Sequence, residues 1–105
     1  MKGPLYYIAV ETIPNRGELS TAARRVKPLP GQGVPEYLRV ECSKDMRDKY
    51  PLGSVFKIQA RLTDREGTTF IFSSFKWAYT KIKRSEAEKL IEEGKLGFVN
   101  NALVG

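Results

Sequence analysis

The chain has 105 residues, 18 of them Lys or Arg and 12 Asp or Glu, for a net charge of +6. At 41% apolar and 10% aromatic it is too apolar for a disordered chain, and its length fits a single domain spanning 1–105 that buries roughly 65% of its unfolded surface. It has no His and one Cys, which excludes His-based catalytic triads, a multi-cysteine zinc site and an internal disulfide.

The longest apolar run, Leu5 to Val10, is six residues, too short to span a membrane. The opening Met1-Lys2-Gly3-Pro4 has no apolar leader segment, and the lone Cys suits a reducing compartment, so a cytoplasmic location and no membrane partner are expected.

Leu5 to Ile13 is rich in aromatic and β-branched residues and predicts a first strand, apolar on both faces and therefore central in its sheet. Residues 14–36 change character. Pro14, Pro28, Pro30 and Pro35, with Gly17, Gly31 and Gly33, predict a long Pro/Gly-rich surface loop, in which Glu18 to Val26 has room for two helical turns capped by Ser20 or Thr21. Tyr37 to Cys42 reads as a short second strand. Ser43 is placed to cap a brief helix, and Pro51-Leu52-Gly53 turns the chain.

Val55 to Asp64 alternates cleanly, with Phe56, Ile58, Ala60 and Leu62 on a dry face and Lys57, Gln59, Arg61 and Thr63 on a wet one. A turn at Arg65-Glu66-Gly67 leads into Thr68 to Ser73, completing a β-hairpin. Phe75 to Ile82 alternates again, which predicts a fifth strand with Phe75, Trp77 and Tyr79 on one face. A C-terminal helix is expected over 85–94. Ser85 and Glu88 match a capping box, Ala87, Leu90 and Ile91 form an apolar stripe, and Gly94 is the stop. Leu96, Phe98 and Val99 should pin the tail, with residues 100–105 loose.

These elements predict a mainly β (α+β) domain: a small five-stranded antiparallel barrel or curled sheet, SH3-like or OB-like, with a C-terminal helix.

Charge is uneven. Residues 1–84 hold 16 basic and 8 acidic side chains, net +8, whereas residues 85–105 hold 2 basic and 4 acidic ones, net −2. Any polyanion should therefore meet the β part. Lys57 and Arg61 share the wet strand face. Arg24, Arg25 and Lys27 lie in the long loop, and Lys76, Lys81, Lys83 and Arg84 lie on or after the fifth strand. Cations that follow phosphates, interleaved with aromatics that stack on bases, are the chemistry by which small barrels hold single strands. The candidate nucleic-acid-binding residues are Lys57, Arg61, Arg24, Arg25, Lys76, Lys81, Trp77 and Tyr79, with Tyr6, Tyr7 and Tyr37 as further candidate stackers. The expected partner is DNA or RNA. Against this stands the plainer role of such residues: cations keep a sheet face soluble, and aromatics at alternate positions are core.

Two other classes compete. A protein-interaction or homodimerisation module would use a free sheet edge, or Lys27-Pro28-Leu29-Pro30 as a polyproline ligand. A small-ligand-binding barrel would line a pocket with Trp77, Tyr79 and carboxylates, and an RNA-cleaving one would use Arg and carboxylate side chains; Asp64 and Glu66, which a metal-dependent nuclease could recruit, are explained by turn chemistry alone. Cys42 has no His partner and reads as an inert buried thiol. No spacing matches an EF-hand, a P-loop or a dinucleotide fingerprint. No catalytic residue, metal site or cofactor is assigned, and the expected function is a small basic binding module.

Overall fold

In a computed structural model, the structure describes residues 4–15, 23–65, 67–98 and the backbone of 102–103. Seven strands and two helices follow in the order β1 (Leu5–Pro14), β2 (Arg24–Pro28), β3 (Val40–Glu41), α1 (Lys44–Asp48), β4 (Val55–Arg65), β5 (Thr68–Phe72), β6 (Tyr79–Ile82), α2 (Arg84–Glu92) and β7 (Ala102–Leu103). The path across the sheet is β2-β1-β4-β5-β3, with β6 joined to β4 and β7 to β1. All pairings are antiparallel except β3 with β5. The outer strands β2 and β3 come near each other without pairing, so the sheet is not closed. The domain is thus mainly β with an open sheet and a C-terminal helix.

β1 is central, as its apolarity on both faces requires. One face of the pleat carries Ile8 and Val10 into the larger core with Val26, Met46, Phe56, Ile58, Ala60 and Ile71. The other carries Ala9 into a smaller core with Leu29, Val55, Ala87 and Leu96, roofed by Leu90 and Ile91 of α2. We call these the inner and outer faces. Cross-strand partners share a face, so the pairs Ile8↔Ile58 and Val10↔Phe56 fill the inner one, and Tyr7↔Gln59 and Ala9↔Lys57 line the outer one.

Several expectations are corrected. The 14–36 stretch is not one long loop: β2 occupies Arg24–Pro28 and pairs with Val10–Pro14. Residues 16–22, where the helical turns would begin, lie outside the described residues, and Arg24 to Val26 is strand rather than helix. Leu29 is 2% exposed, so the Lys27-to-Pro30 segment is core and edge strand, not a polyproline ligand. The second strand shrinks to Val40–Glu41. Leu62, expected on the dry face, is exposed near the end of the long hairpin, beyond the reach of the core.

The fifth strand is shorter than its alternation suggested, because residues 73–78 form turns and only Tyr79–Ile82 pair with β4. Trp77 and Tyr79 therefore do not share a face. Tyr79 pairs with Ile58 and packs inward against Phe56 and Tyr50, with ring centroids 5.6 and 6.2 Å away. The capping box does not form either: α2 starts at Arg84, and its N-cap, Lys83, gives no side-chain hydrogen bond. Arg84 instead bonds Glu11 of β1, tying the helix start to the sheet.

The β4–β5 hairpin and its positive-φ Gly67 form as expected. So do the Ser43 cap of α1, whose hydroxyl accepts from the Met46 N–H at 3.3 Å, and the stop at Gly94. Leu96 is buried and Phe98 packs edge-on against Tyr6 at 5.2 Å. Val99 lies outside the described residues. The tail is not all loose, since the backbone of Ala102–Leu103 pairs with Leu5 and Tyr6.

Candidate nucleic-acid interface

α2 covers only part of the outer face. Beyond it, β4 presents Lys57, Gln59, Arg61 and Thr63 on one side of its pleat, all half-buried. They are drier than a solvent-facing row because aromatic rings lie among them. The Lys57 ammonium sits 4.7 Å from the centre of the Tyr7 ring. The Arg61 guanidinium sits 5.5 Å from the Trp77 ring, and Trp77 meets Phe72 edge-on at 5.7 Å. Register explains this, because Tyr7 pairs with Gln59 and Phe72 with Arg61, which puts each ring beside its cation. Further along, Arg65 lies 4.8 Å from the Phe70 ring.

The cations differ in what neutralises them. Arg65 pairs with Glu41 at 3.1 Å, and Arg39 shares the same carboxylate at 3.3 Å. Lys57, Arg61 and Lys76 have no carboxylate partner among the described residues and are held by rings alone. Such cation–π contacts cost the cation little of its field, because the ring carries no net charge. The Arg61 Nε–H is buried and finds no acceptor, so packing against Trp77 is what fixes this side chain. On the same side of the sheet, α2 bears exposed Glu86, Glu88 and Glu92, so an acidic helix borders the basic strip.

The candidate residues are not all brought together. Lys57, Arg61 and Trp77 converge on the outer face, and Lys76 stands next to Trp77 in the chain. Arg25 pairs with Ile13 on that side of the pleat, at the far end of β1. Arg24 pairs with Pro14 on the inner side, where its guanidinium donates to the Tyr50 carbonyl. Lys81 pairs with Phe56 and so projects from the inner side. Tyr79 is inward too, engaged with Tyr50 and Phe56. Tyr6 is in the larger core, whereas Tyr37 is 79% exposed. Tyr7, one of the further candidate stackers, belongs to the strip, and so does Phe72, which was not singled out; what brings Phe72 there is the pairing register, which no local pattern contains.

The remaining chemistry-bearing groups have other occupations. Asp64 accepts from the Thr69 hydroxyl at 2.7 Å, a cross-strand contact in the hairpin, and Glu66 lies outside the described residues. Burial pushes the Cys42 thiol up to about 11, against the lowering pull of Arg47. Among the described residues, no three His, Cys, Asp or Glu side chains gather as a metal site would require. No helix among them is long and apolar enough to cross a membrane.

The chain matches no protein-family model, no curated protein and no solved structure.

Proposed function

We propose that this domain binds nucleic acid through the open part of its outer sheet face. The observation that carries the reading is the pair Lys57 over Tyr7 and Arg61 over Trp77: two cations on one strand, each oriented by a ring and neither neutralised by a carboxylate among the described residues. Four residues of strand separate them, about 13 Å at the usual rise, so they can meet different phosphates of one strand. Lys76 adds a third charge beside Trp77. Arg24, Lys81 and Tyr79 are left out of this site because they lie on the inner side or in the core.

Phosphate contacts of this kind release counterions, so affinity falls steeply with salt. The test is fluorescence anisotropy with short labelled DNA and RNA at low and near-physiological salt, for the native chain and for the Lys57→Ala/Arg61→Ala double variant. The double variant should bind more weakly and show a salt slope shallower by about 2, one unit for each lost contact. Binding that is unchanged in the double variant removes the site assignment. Binding that is absent at low salt removes the function.

A further inference from the structure

The strand that returns along β4 is interrupted. β5 pairs with β4 as far as Arg61↔Phe72, and β6 resumes at Ile58↔Tyr79. Across this step β4 advances three residues and the returning chain seven, so four extra residues are looped out. Within the loop, the Trp77 N–H donates to the Ser74 carbonyl at 3.0 Å, closing a β-turn with Phe75 and Lys76 at its central positions. The Ser74 hydroxyl accepts from the Lys76 N–H at 3.1 Å and fixes the turn.

This turn has an unusual composition for its place. Central turn positions favour Gly, Asn, Asp or Pro, which supply the needed backbone shape without apolar surface. Here a Phe stands at the apex, 73% exposed, with the Lys76 ammonium 5.8 Å from its ring centre. Two residues on, Trp77 returns to the outer face beneath Arg61. The ring of Phe75 adds nothing to either core. Lys76, the cation beside it, has no carboxylate partner among the described residues.

A ring open to solvent with a cation beside it matches one repeating unit of a single strand, a base face next to its phosphate. Bases in a duplex are already stacked and offer only their edges and backbone. We infer that the Ser74–Trp77 turn is a base-stacking element, and that the outer face takes single-stranded nucleic acid with an unpaired base on Phe75. This rests on the nucleic-acid reading above and adds the strand form and the contact that selects it.

The probes are labelled oligothymidylate and oligouridylate of about 12 nucleotides, a duplex of the same length, and an abasic oligomer with the same phosphates, all within the usual site size of such surfaces. Phe75 is exposed, so Phe75→Ala should fold, as circular dichroism will check. The native chain should bind the single strands about tenfold tighter than the duplex. Phe75→Ala should lose about tenfold on the single strands alone, with an unchanged salt slope, and Phe75→Trp should restore it. If Phe75→Ala binds oligothymidylate as the native chain does, or the duplex binds as tightly as the single strand, the stacking inference falls while the polyanion reading stands. If no probe binds at low salt, both fall. If Phe75→Ala turns a dimer into a monomer in sedimentation without changing oligonucleotide affinity, the ring is a contact between two copies, and the inference is overturned.

Discussion

Gln32 completes the hydrogen bonding of Ala9. The Ala9 N–H donates to Oε1 of Gln32 at 2.7 Å, and Nε2 donates back to the Ala9 carbonyl at 2.8 Å. The two bonds reproduce a rung of an antiparallel ladder with a side chain in place of a strand. The position explains the need. β2 pairs with β1 only from Val10 onward, and β7 only at Leu5 and Tyr6, so no strand lies beside the middle of that edge, where loop N–H groups of Gly97 and Leu29 reach the Tyr7 and Ala9 carbonyls. Nε2 also donates to the Leu29 carbonyl at 2.9 Å, and the Gln32 carbonyl accepts from the Phe98 N–H at 2.8 Å, so this 1%-exposed residue fastens three segments.

Gln32→Ala leaves the Ala9 N–H buried without an acceptor. Unpaired buried groups cost about 1–3 kcal/mol each, so the variant should lose about 3 kcal/mol in urea unfolding. Gln32→Glu should lose more at pH 7, because one carboxylate oxygen then faces the carbonyls of Ala9 and Leu29, and part of that loss should return on acidification as the carboxylate takes up a proton. A loss under about 0.5 kcal/mol for Gln32→Ala would mean that water replaces the amide.

Gly97 is constrained by the same residue. Its φ is +124°, and a Cβ there would sit 3.0 Å from the Gln32 Cα and 3.1 Å from its carbonyl oxygen, both backbone atoms. Gly53 also has a positive φ, +87°, but opens onto empty space. Gly53→Ala should therefore cost about 1 kcal/mol, the left-handed penalty alone. Gly97→Ala should cost clearly more, since backbone strain and a backbone clash coincide. Equal midpoint shifts for the two variants would show that the tail moves away freely.

The two serines chosen as helix caps show how far local sequence carries. Ser43 precedes a short helix, and its hydroxyl accepts from the Met46 N–H. Ser85 stands in a textual capping box, yet the helix starts one residue earlier because Arg84 is drawn to Glu11 across the sheet. Ser43→Ala should cost about 1 kcal/mol, and Ser85→Ala less than about 0.5. A larger loss at Ser85 would mean that the box forms in solution.

The same contrast runs through the fold. β1 was legible from its run of β-branched and aromatic residues, and the hairpin and α2 because each carries its own periodicity. β3 and β7 were not, because a two-residue pairing has no period to read and exists only where β5 and β1 hold it. β2 was hidden in Pro-rich sequence: Arg24-Arg25-Val26-Lys27-Pro28 buries only Val26 and Pro28, too few positions for a visible alternation. The four-residue loop-out preserved the alternation of Phe75 to Ile82 on paper while placing Trp77 and Tyr79 on opposite faces. Of the candidate site, Lys57 and Arg61 were readable from strand period alone, whereas which rings lie beside them was set by the Tyr7↔Gln59 register and by the loop-out that carries Trp77.

Cys42 offers a test through pH. Its thiol is pushed up to about 11 by burial, so the folded protein keeps the proton at pH values where the unfolded chain, near the ordinary value of 9.0, has released it. The stabilising contribution is complete below pH 9.0 and declines as pH rises toward about 11. Reaction with a thiol-specific disulfide reagent at pH 8 should be much slower in the folded protein than in urea, and Cys42→Ala should flatten the alkaline loss of stability. Rapid labelling of the folded protein at pH 8 would place the thiolate in solvent instead.

Removing one lysine from each side of the sheet tells the two sides apart. Lys57 and Lys81 carry the same charge on neighbouring strands, and overall electrostatics would weight them alike. They differ in face: Lys57 pairs with Ala9 and Thr80 on the outer side, and Lys81 pairs with Phe56 on the inner one. If nucleic acid is held by a positioned strip, Lys57→Ala should weaken binding several-fold at about 0.1 M salt, where screening acts within about 10 Å, and Lys81→Ala should leave it nearly unchanged. If the +6 charge acts only as a diffuse field, the two variants should weaken binding equally, and the loss should vanish for both as salt is raised. Anisotropy titrations of the two single variants at two salt concentrations decide between a face and a field. A dominant effect of Lys81 would move the interface to the inner side, where it would need Tyr79 to leave the core.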